Sequence, residues 1–319
     1  MHISLLLRYF IVLSAFFFLL LTGCVKKEEA KKVSLSKKTA EPAAEIEYPS
    51  QETLWFGFDL RLGPKEDVRI YIPLLKYLEY ETGRRFRIKF SERYEDTVED
   101  LGRGTTQFAS LGALSYLIGE EKYGIKYLVS GVNKNGNTTY HSAIFTVPGS
   151  AVHTLQDIKG KCFAFGSRMS TQGHLIPRRM LEEGGITLHD LGRYIYTGSH
   201  LDTVKAVLNG ECDAGGIQDT LAERLSSEGK IKVLKVSEPY PGGLIAYNNS
   251  VDSKTVEAVR NALLSLKTAR QQKDMLIDWD KTEMPSGFSI LGNPDMDKVR
   301  ALAVRYGLLK QESGEARKQ

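Results

Sequence analysis

The chain has 319 residues, a length that corresponds to about two domains. It is 42% hydrophobic and 26% charged with a net charge of +4, an ordinary globular balance, and its scattered Lys and Arg residues come with no motif for nucleic acid. Three cysteines are too few to build a disulfide scaffold.

At the N-terminus, His2 and Arg8 flank the start of an apolar run from Tyr9 to Leu21. That run has the length of a signal-peptide core and is short for a spanning helix. It ends in Leu21-Thr22-Gly23-Cys24, which resembles the bacterial lipobox. The resemblance implies a lipoprotein signal peptide over residues 1–23, with Cys24 as the lipidated residue that ties the protein to a membrane. Residues 24–51 are rich in Lys, Glu, Ala and Ser, with Pro42 and Pro49. Such a segment cannot bury enough surface to offset its ordering entropy, and it reads as a flexible tether.

From Leu54 onward apolar runs alternate with amphipathic segments, the pattern of α/β architecture. Leu54–Phe58 reads as a strand. Leu74, Leu75, Tyr77 and Leu78 mark a helix that Pro73 opens and Gly83 closes. Strand Phe86–Phe90, helix Thr97–Leu101, strand Phe108–Leu111, helix Leu114–Lys122 and strand Lys126–Val132 follow. Thr139–Val147 alternates as one long strand. The pattern then restarts with strand Cys162–Gly166 and a helix ending at Gly184-Gly185. Strand Tyr194–Thr197, helix Thr203–Leu208, strands Cys212–Ile217 and Leu244–Tyr247 and helix Ser253–Leu266 complete it. Cys162 and Cys212 sit at the starts of two expected strands; neighbouring parallel strands could bring them close enough to pair, but disulfide geometry is strict and free thiols are the favoured expectation.

Three segments carry chemistry. Ser170-Thr171-Gln172-Gly173 follows a buried strand and opens a helix. Hydroxyls there cap free N–H groups, and the same N–H groups can hold an anion; both readings fit. Pro177 permits a helix start near Ile176 instead. His200, in Gly198-Ser199-His200, lies past a strand's C-terminal end, where open α/β sheets bind ligands; a structural histidine is the plainer alternative. Asp219 lies past another strand end and faces either a cleft or solvent. No Gly-x-Ser-x-Gly elbow, Walker loop or metal-ligand spacing is present, so neither catalysis nor a cofactor or metal is expected.

These segments together resemble the phosphate, phosphite and phosphonate-type solute-binding proteins of ABC importers. The likeness rests on Tyr140-His141-Ser142-Ala143-Ile144, Leu155-Gln156-Asp157-Ile158-Lys159-Gly160-Lys161, Phe163-Ala164-Phe165-Gly166, Ser170-Thr171-Gln172-Gly173, Gly198-Ser199-His200 and Asp213-Ala214-Gly215. It implies a type II periplasmic-binding fold: two α/β lobes joined by two crossing strands, with Thr139–Val147 and Leu244–Tyr247 as the crossings. Lobe 1 would comprise residues 52–141 and 244–319, and lobe 2 residues 142–243. By position, the resemblance makes Ser170, Thr171 and His200 oxyanion contacts, and Tyr94 and Tyr140 hydroxyl contacts from lobe 1 and its border, while the amide of Gln172 can still donate to the ligand. Gln172 stands where the family usually has Ser.

Of the two carboxylates that hold the amine in aminophosphonate binders, one falls near Asp219. The other falls at Gly243, which is expected to leave room rather than a charge. The implied partners are a small oxyanion and an ABC permease, and the implied location is the cell envelope. The alternative is a module of the same fold serving a sensory system, which gene neighbours would distinguish: permease and ATPase, or sensor kinase.

Overall fold

The computed structural model describes residues 53–266, 276–290 and 296–311. The lipobox with Cys24 and the tether lie outside the described residues. Two sheets organise the chain. The first contains β1 (Leu54–Phe58), β2 (Phe86–Ile88), β3 (Phe108–Leu111), β4 (Lys126–Gly131), β12 (Leu244–Tyr247) and β13 (Phe288–Ser289), in the order β13-β4-β12-β3-β1-β2. The second contains β6 (Ser142–Thr146), β7 (Cys162–Phe165), β8 (Arg193–Tyr196), β9 (Ala214–Gln218) and β10 (Lys232–Val236), in the order β10-β6-β9-β7-β8. Each sheet, with its helices, forms one lobe.

The lobes are joined by a two-stranded ribbon. β5 (Thr139–Tyr140) and β11 (Tyr240–Pro241) pair antiparallel, Tyr140 opposite Tyr240. This corrects the single strand expected over Thr139–Val147: it breaks at His141, because its two halves serve different sheets. The His141 N–H at the break donates to Asp219 at 2.9 Å. The second crossing is β11, not Leu244–Tyr247; β12 lies wholly inside the first sheet, between β3 and β4.

Helix α1 (Pro64–Thr82) starts nine residues before Pro73, so Pro73 lies inside it instead of opening it. Pro64 occupies the first turn, where a missing N–H is harmless. Asp67 accepts the N–H groups of Arg61, Leu62 and Gly63 and ties the preceding loop to the helix. Burial of Ile70, Tyr71, Leu74, Leu75, Tyr77 and Leu78 offsets the bond lost at Pro73. Gly83 closes the helix in the left-handed conformation, φ 63°.

Helices α2 (Tyr94–Gly102) and α3 (Ala113–Tyr123) complete the first lobe's front. In the second lobe, α4 (Ile176–Glu183), α5 (His200–Leu208) and α6 (Asp219–Ser227) follow the strands. Pro177 sits in the first turn of α4, preceded by a π-helical turn over Thr171–Leu175. Helix α7 (Ser253–Ser265) returns to the first lobe.

The C-terminal helix α8 (Met296–Arg305) lies across both lobes. Arg300 binds Glu120 of α3 at 2.7 Å. Beyond it, Arg305 and Tyr306 both donate to Glu182 of α4, at 2.9 and 2.8 Å, and Arg178 stacks on the Tyr306 ring. Lys134, in the loop before β5, pairs with Glu223 of α6.

Cys162 and Cys212 form a disulfide, Cα–Cα 4.6 Å, which corrects the expectation of free thiols. The reason is local. β7 and β9 are parallel neighbours, so the two cysteines, at the entry to each, arrive side by side. The Asp213 carboxylate also accepts the Cys162 N–H at 2.8 Å and fixes that alignment.

Candidate functional site

The C-terminal end of β7 supplies the second lobe's wall. After Phe165, Gly166 donates to the Gly173 carbonyl at 2.8 Å and folds the segment back on itself. Ser170 Oγ accepts the Gly173 N–H at 2.9 Å, as a cap does. A Cβ on Gly173 would lie 3.1 Å from the His200 ring and 2.9 Å from Ser170 Oγ, so glycine is what lets the turn approach His200. His200 opens α5 and is buried. Burial, helped by the charge of Arg61, pushes its pKa down to about 3 and keeps the imidazole neutral. Its Nδ1 has no hydrogen-bond partner, nor has Gln172 Nε2.

The first lobe presents the loop after β1 and the N-termini of α2 and α3. Asp59 Oδ2 accepts the Gly112 N–H at 2.8 Å, and Tyr94 and Ser115 also bond to this carboxyl. A Cβ on Gly112 would lie 3.5 Å from Thr171 Oγ, 3.6 Å from Tyr94 Oη and 3.8 Å from Asp59 Oδ2. Groups from both lobes thus converge there. The Leu114 N–H of α3 donates to Thr171 Oγ at 2.9 Å, and Leu201 N–H donates to the Arg61 carbonyl at 3.2 Å. These bonds cross between the lobes, so the cleft is closed.

Burial pushes Asp59 up to about 7 against the opposing pull of Arg61 and the Gly112 N–H. A raised carboxyl stabilises the fold fully below its unfolded pKa near 4, and that contribution is lost as the pH rises through 7. Asp59→Asn is therefore expected to stabilise the unliganded protein by roughly 1–2 kcal/mol more at pH 8 than at pH 5. Urea denaturation at both pH values reads this; an equal change at both would mean that Asp59 titrates normally.

The structure brings Tyr94, Ser170, Thr171, Gln172 and His200 to this closed cleft. Tyr140 enters from the hinge ribbon, buried, with its hydroxyl unpartnered. Asp219 does not present a free carboxylate. It accepts the N–H groups of His141 and Thr220 at 2.9 and 2.7 Å and braces the hinge.

The room expected beside Gly243 is not there. A Cβ on Gly243 would lie 2.8 Å from Glu283 Oε2 and 3.2 Å from Arg61 Nη2, so this buried pair fills the space. Sequence reasoning missed Asp59, Arg61 and Glu283. The strand-end rule applied to His200 also covers Asp59 and Arg61, which directly follow β1. Glu283 lies in a loop with no such signal.

Asp59 Oδ1, both Nη atoms of Arg61, Tyr140 Oη, Gln172 Nε2, His200 Nδ1 and Glu283 Oε2 are all buried without a hydrogen-bond partner. Native interiors rarely leave such groups unmet. Of these groups Arg61, Tyr140, Gln172 and His200 can donate, and converging donors from two closing lobes are suited to grip a small anion.

Comparison with known proteins agrees with this architecture. The family described as "ABC transporter, phosphonate, periplasmic substrate-binding protein" matches residues 56–288. A "Phosphate-import protein PhnD" of Mycolicibacterium smegmatis is 26% identical over 207 residues, covering 60% of this chain and 64% of that protein. A "Probable ABC transporter phosphite binding protein PhnD1" of Prochlorococcus marinus is 29% identical over 170 residues, 52% of each chain. The chain thus spans between half and two thirds of these relatives' lengths.

Among solved structures, PhnD1 of Prochlorococcus marinus in complex with methylphosphonate superposes with a TM-score of 0.72 at 14% identity, covering 81% of this chain and 99% of that one. A binding protein component of an ABC phosphonate transporter from Pseudomonas aeruginosa gives 0.71 at 20% identity, covering 81% and 87%. At those identities the likeness establishes the two-lobe fold. The sequence match runs from β1 to β13 and so takes in both lobes and the ribbon between them, and the chain belongs to the phosphonate-type periplasmic substrate-binding proteins of ABC transporters.

Proposed function

We propose that this protein captures a small phosphorus oxyanion outside the cytoplasm and hands it to the permease of an ABC importer, without catalysing a reaction. The observation that carries this reading is the set of buried, unpartnered polar groups from both lobes around one closed cleft. The relatives' names, a phosphate importer and a phosphite binder, point to the same ligand class. The Ser170–Gly173 turn, Thr171, Gln172 and His200 act from one lobe, Tyr94 from the other and Tyr140 from the hinge ribbon. Cys24, following Leu21-Thr22-Gly23, anchors the protein to the membrane; an acyl-modified Cys24 in the membrane fraction is the observation that would show it.

The ligand carries no amine. A buried ammonium must be paired; Asp219 is engaged by backbone N–H groups, burial pushes Asp59 up to about 7, and the charge of Glu283 is balanced by Arg61 at 3.5 Å. Phosphate, phosphite or methylphosphonate is expected to bind at least tenfold tighter than aminoethylphosphonate, about 1.4 kcal/mol. Competition calorimetry checks it: displacement of the small anions by aminoethylphosphonate at equal or lower concentration would refute the preference. Failure of every phosphorus anion to bind would refute the function.

A further inference from the structure

Arg61 is a buried guanidinium in the loop that leaves β1. A buried arginine ordinarily has its N–H groups satisfied. Here neither Nη atom makes a hydrogen bond. Glu283 lies 3.5 Å from Nη1, close enough for ionic attraction, but its Oε2 makes no hydrogen bond either.

The position of Arg61 matters as much as its lack of partners. Its carbonyl takes the Leu201 N–H, next to His200, so it stands where the lobes meet. Its charge acts on His200, Tyr94 and Tyr140, groups from the opposite lobe, its own lobe and the hinge. Glu283 and the guanidinium both pack against the backbone of Gly243, where the chain re-enters the first lobe. Arginine–carboxylate pairs are frequently bidentate. Here Glu283 approaches one Nη at 3.5 Å and neither Nη makes a hydrogen bond.

We propose that Arg61 is a ligand-contacting, specificity-determining residue: its guanidinium donates to an oxygen of the bound oxyanion, Glu283 holds it against Gly243, and the pair together refuses an alkylammonium tail. The inference rests on the oxyanion reading of the cleft and names the cation that reading otherwise lacks. An incoming ammonium would meet the like charge of Arg61 first. The charge of Glu283, the carboxylate beside it, is already balanced by that arginine at 3.5 Å. A small anion instead completes the hydrogen bonds that Glu283 leaves unmade.

Two variants separate this role from a structural one. Removing one member of a buried pair destabilises, whereas replacing both by neutral groups is often tolerated. The proteins to compare are therefore the wild type, Glu283→Gln and the double variant Arg61→Met/Glu283→Gln. Each is titrated calorimetrically with methylphosphonate, phosphite and aminoethylphosphonate.

Glu283→Gln removes a negative charge next to the anion and is expected to tighten methylphosphonate severalfold. The double variant is expected to weaken methylphosphonate and phosphite at least tenfold and to bring aminoethylphosphonate within a few-fold of them. A folded double variant with affinities within twofold of wild type and its preference intact overturns the role of Arg61 alone. If the double variant lacks a cooperative thermal transition, Glu283→Gln decides: unchanged or weaker methylphosphonate binding overturns the proposal. A wild type that binds none of the three anions overturns the oxyanion reading and this inference with it.

Discussion

Replacing both Cys162 and Cys212 by serine is expected to cost about 2–4 kcal/mol of stability. The bridge closes a loop of sequence separation 50. Loop-closure entropy for that length gives about 4 kcal/mol, and structure retained in the unfolded chain lowers the measured figure. The loop spans β7, the Ser170–Gly173 turn, α4, β8 and α5, so the second lobe's candidate site residues Ser170, Thr171, Gln172 and His200 all lie inside it. Urea denaturation of the oxidised wild type and the double serine variant measures the difference. Reductant added to the wild type should reproduce it, because the reduced chain loses the same constraint. An unchanged urea midpoint on reduction would mean that the thiols are unpaired in the protein in solution.

Thr171→Ala and His200→Ala are each expected to weaken oxyanion binding tenfold to a hundredfold while leaving a cooperatively folded protein. A hydrogen bond to a charged group is worth roughly 1.5–3 kcal/mol. Thr171 acts twice. Its hydroxyl faces the cleft and its Oγ also takes the Leu114 N–H across the lobes at 2.9 Å. Alanine there removes a closing bond as well as the proposed ligand contact. His200 differs in character, because the buried ring is neutral far below physiological pH. The loss caused by His200→Ala should therefore be the same at pH 6 and pH 8, whereas a charged histidine would give a loss that grows toward acid. Calorimetry with methylphosphonate reads both, and unchanged affinity in both variants would remove this site.

The α/β alternation and most strand positions were legible because buried strands write themselves as short apolar runs. β1 and β3 match their expected bounds to the residue. Pro73 misled because a proline signals a helix start only when nothing else stabilises the preceding turn, and here Pro64 and Asp67 do. The break at His141 was invisible: alternation runs unbroken through Tyr140 and Ser142, and only the orientation of two distant sheets divides them. β10 and the helices α6 and α8 went unread, their apolar faces diluted by charge. In the site, the glycine- and hydroxyl-rich turn announced itself. Arg61 and Glu283 did not, because their meeting over Gly243 is a tertiary event between segments far apart in sequence.

The strap formed by α8 separates two properties that are often discussed as one. Glu182 with Arg305 and Tyr306, and Lys134 with Glu223, hold the lobes together without touching the cleft. Such contacts favour the closed form equally whatever anion it encloses, so they scale every dissociation constant in parallel and leave the ratios between ligands alone. Residence time is then adjustable from the rim of the molecule, and the order of preference only from its centre.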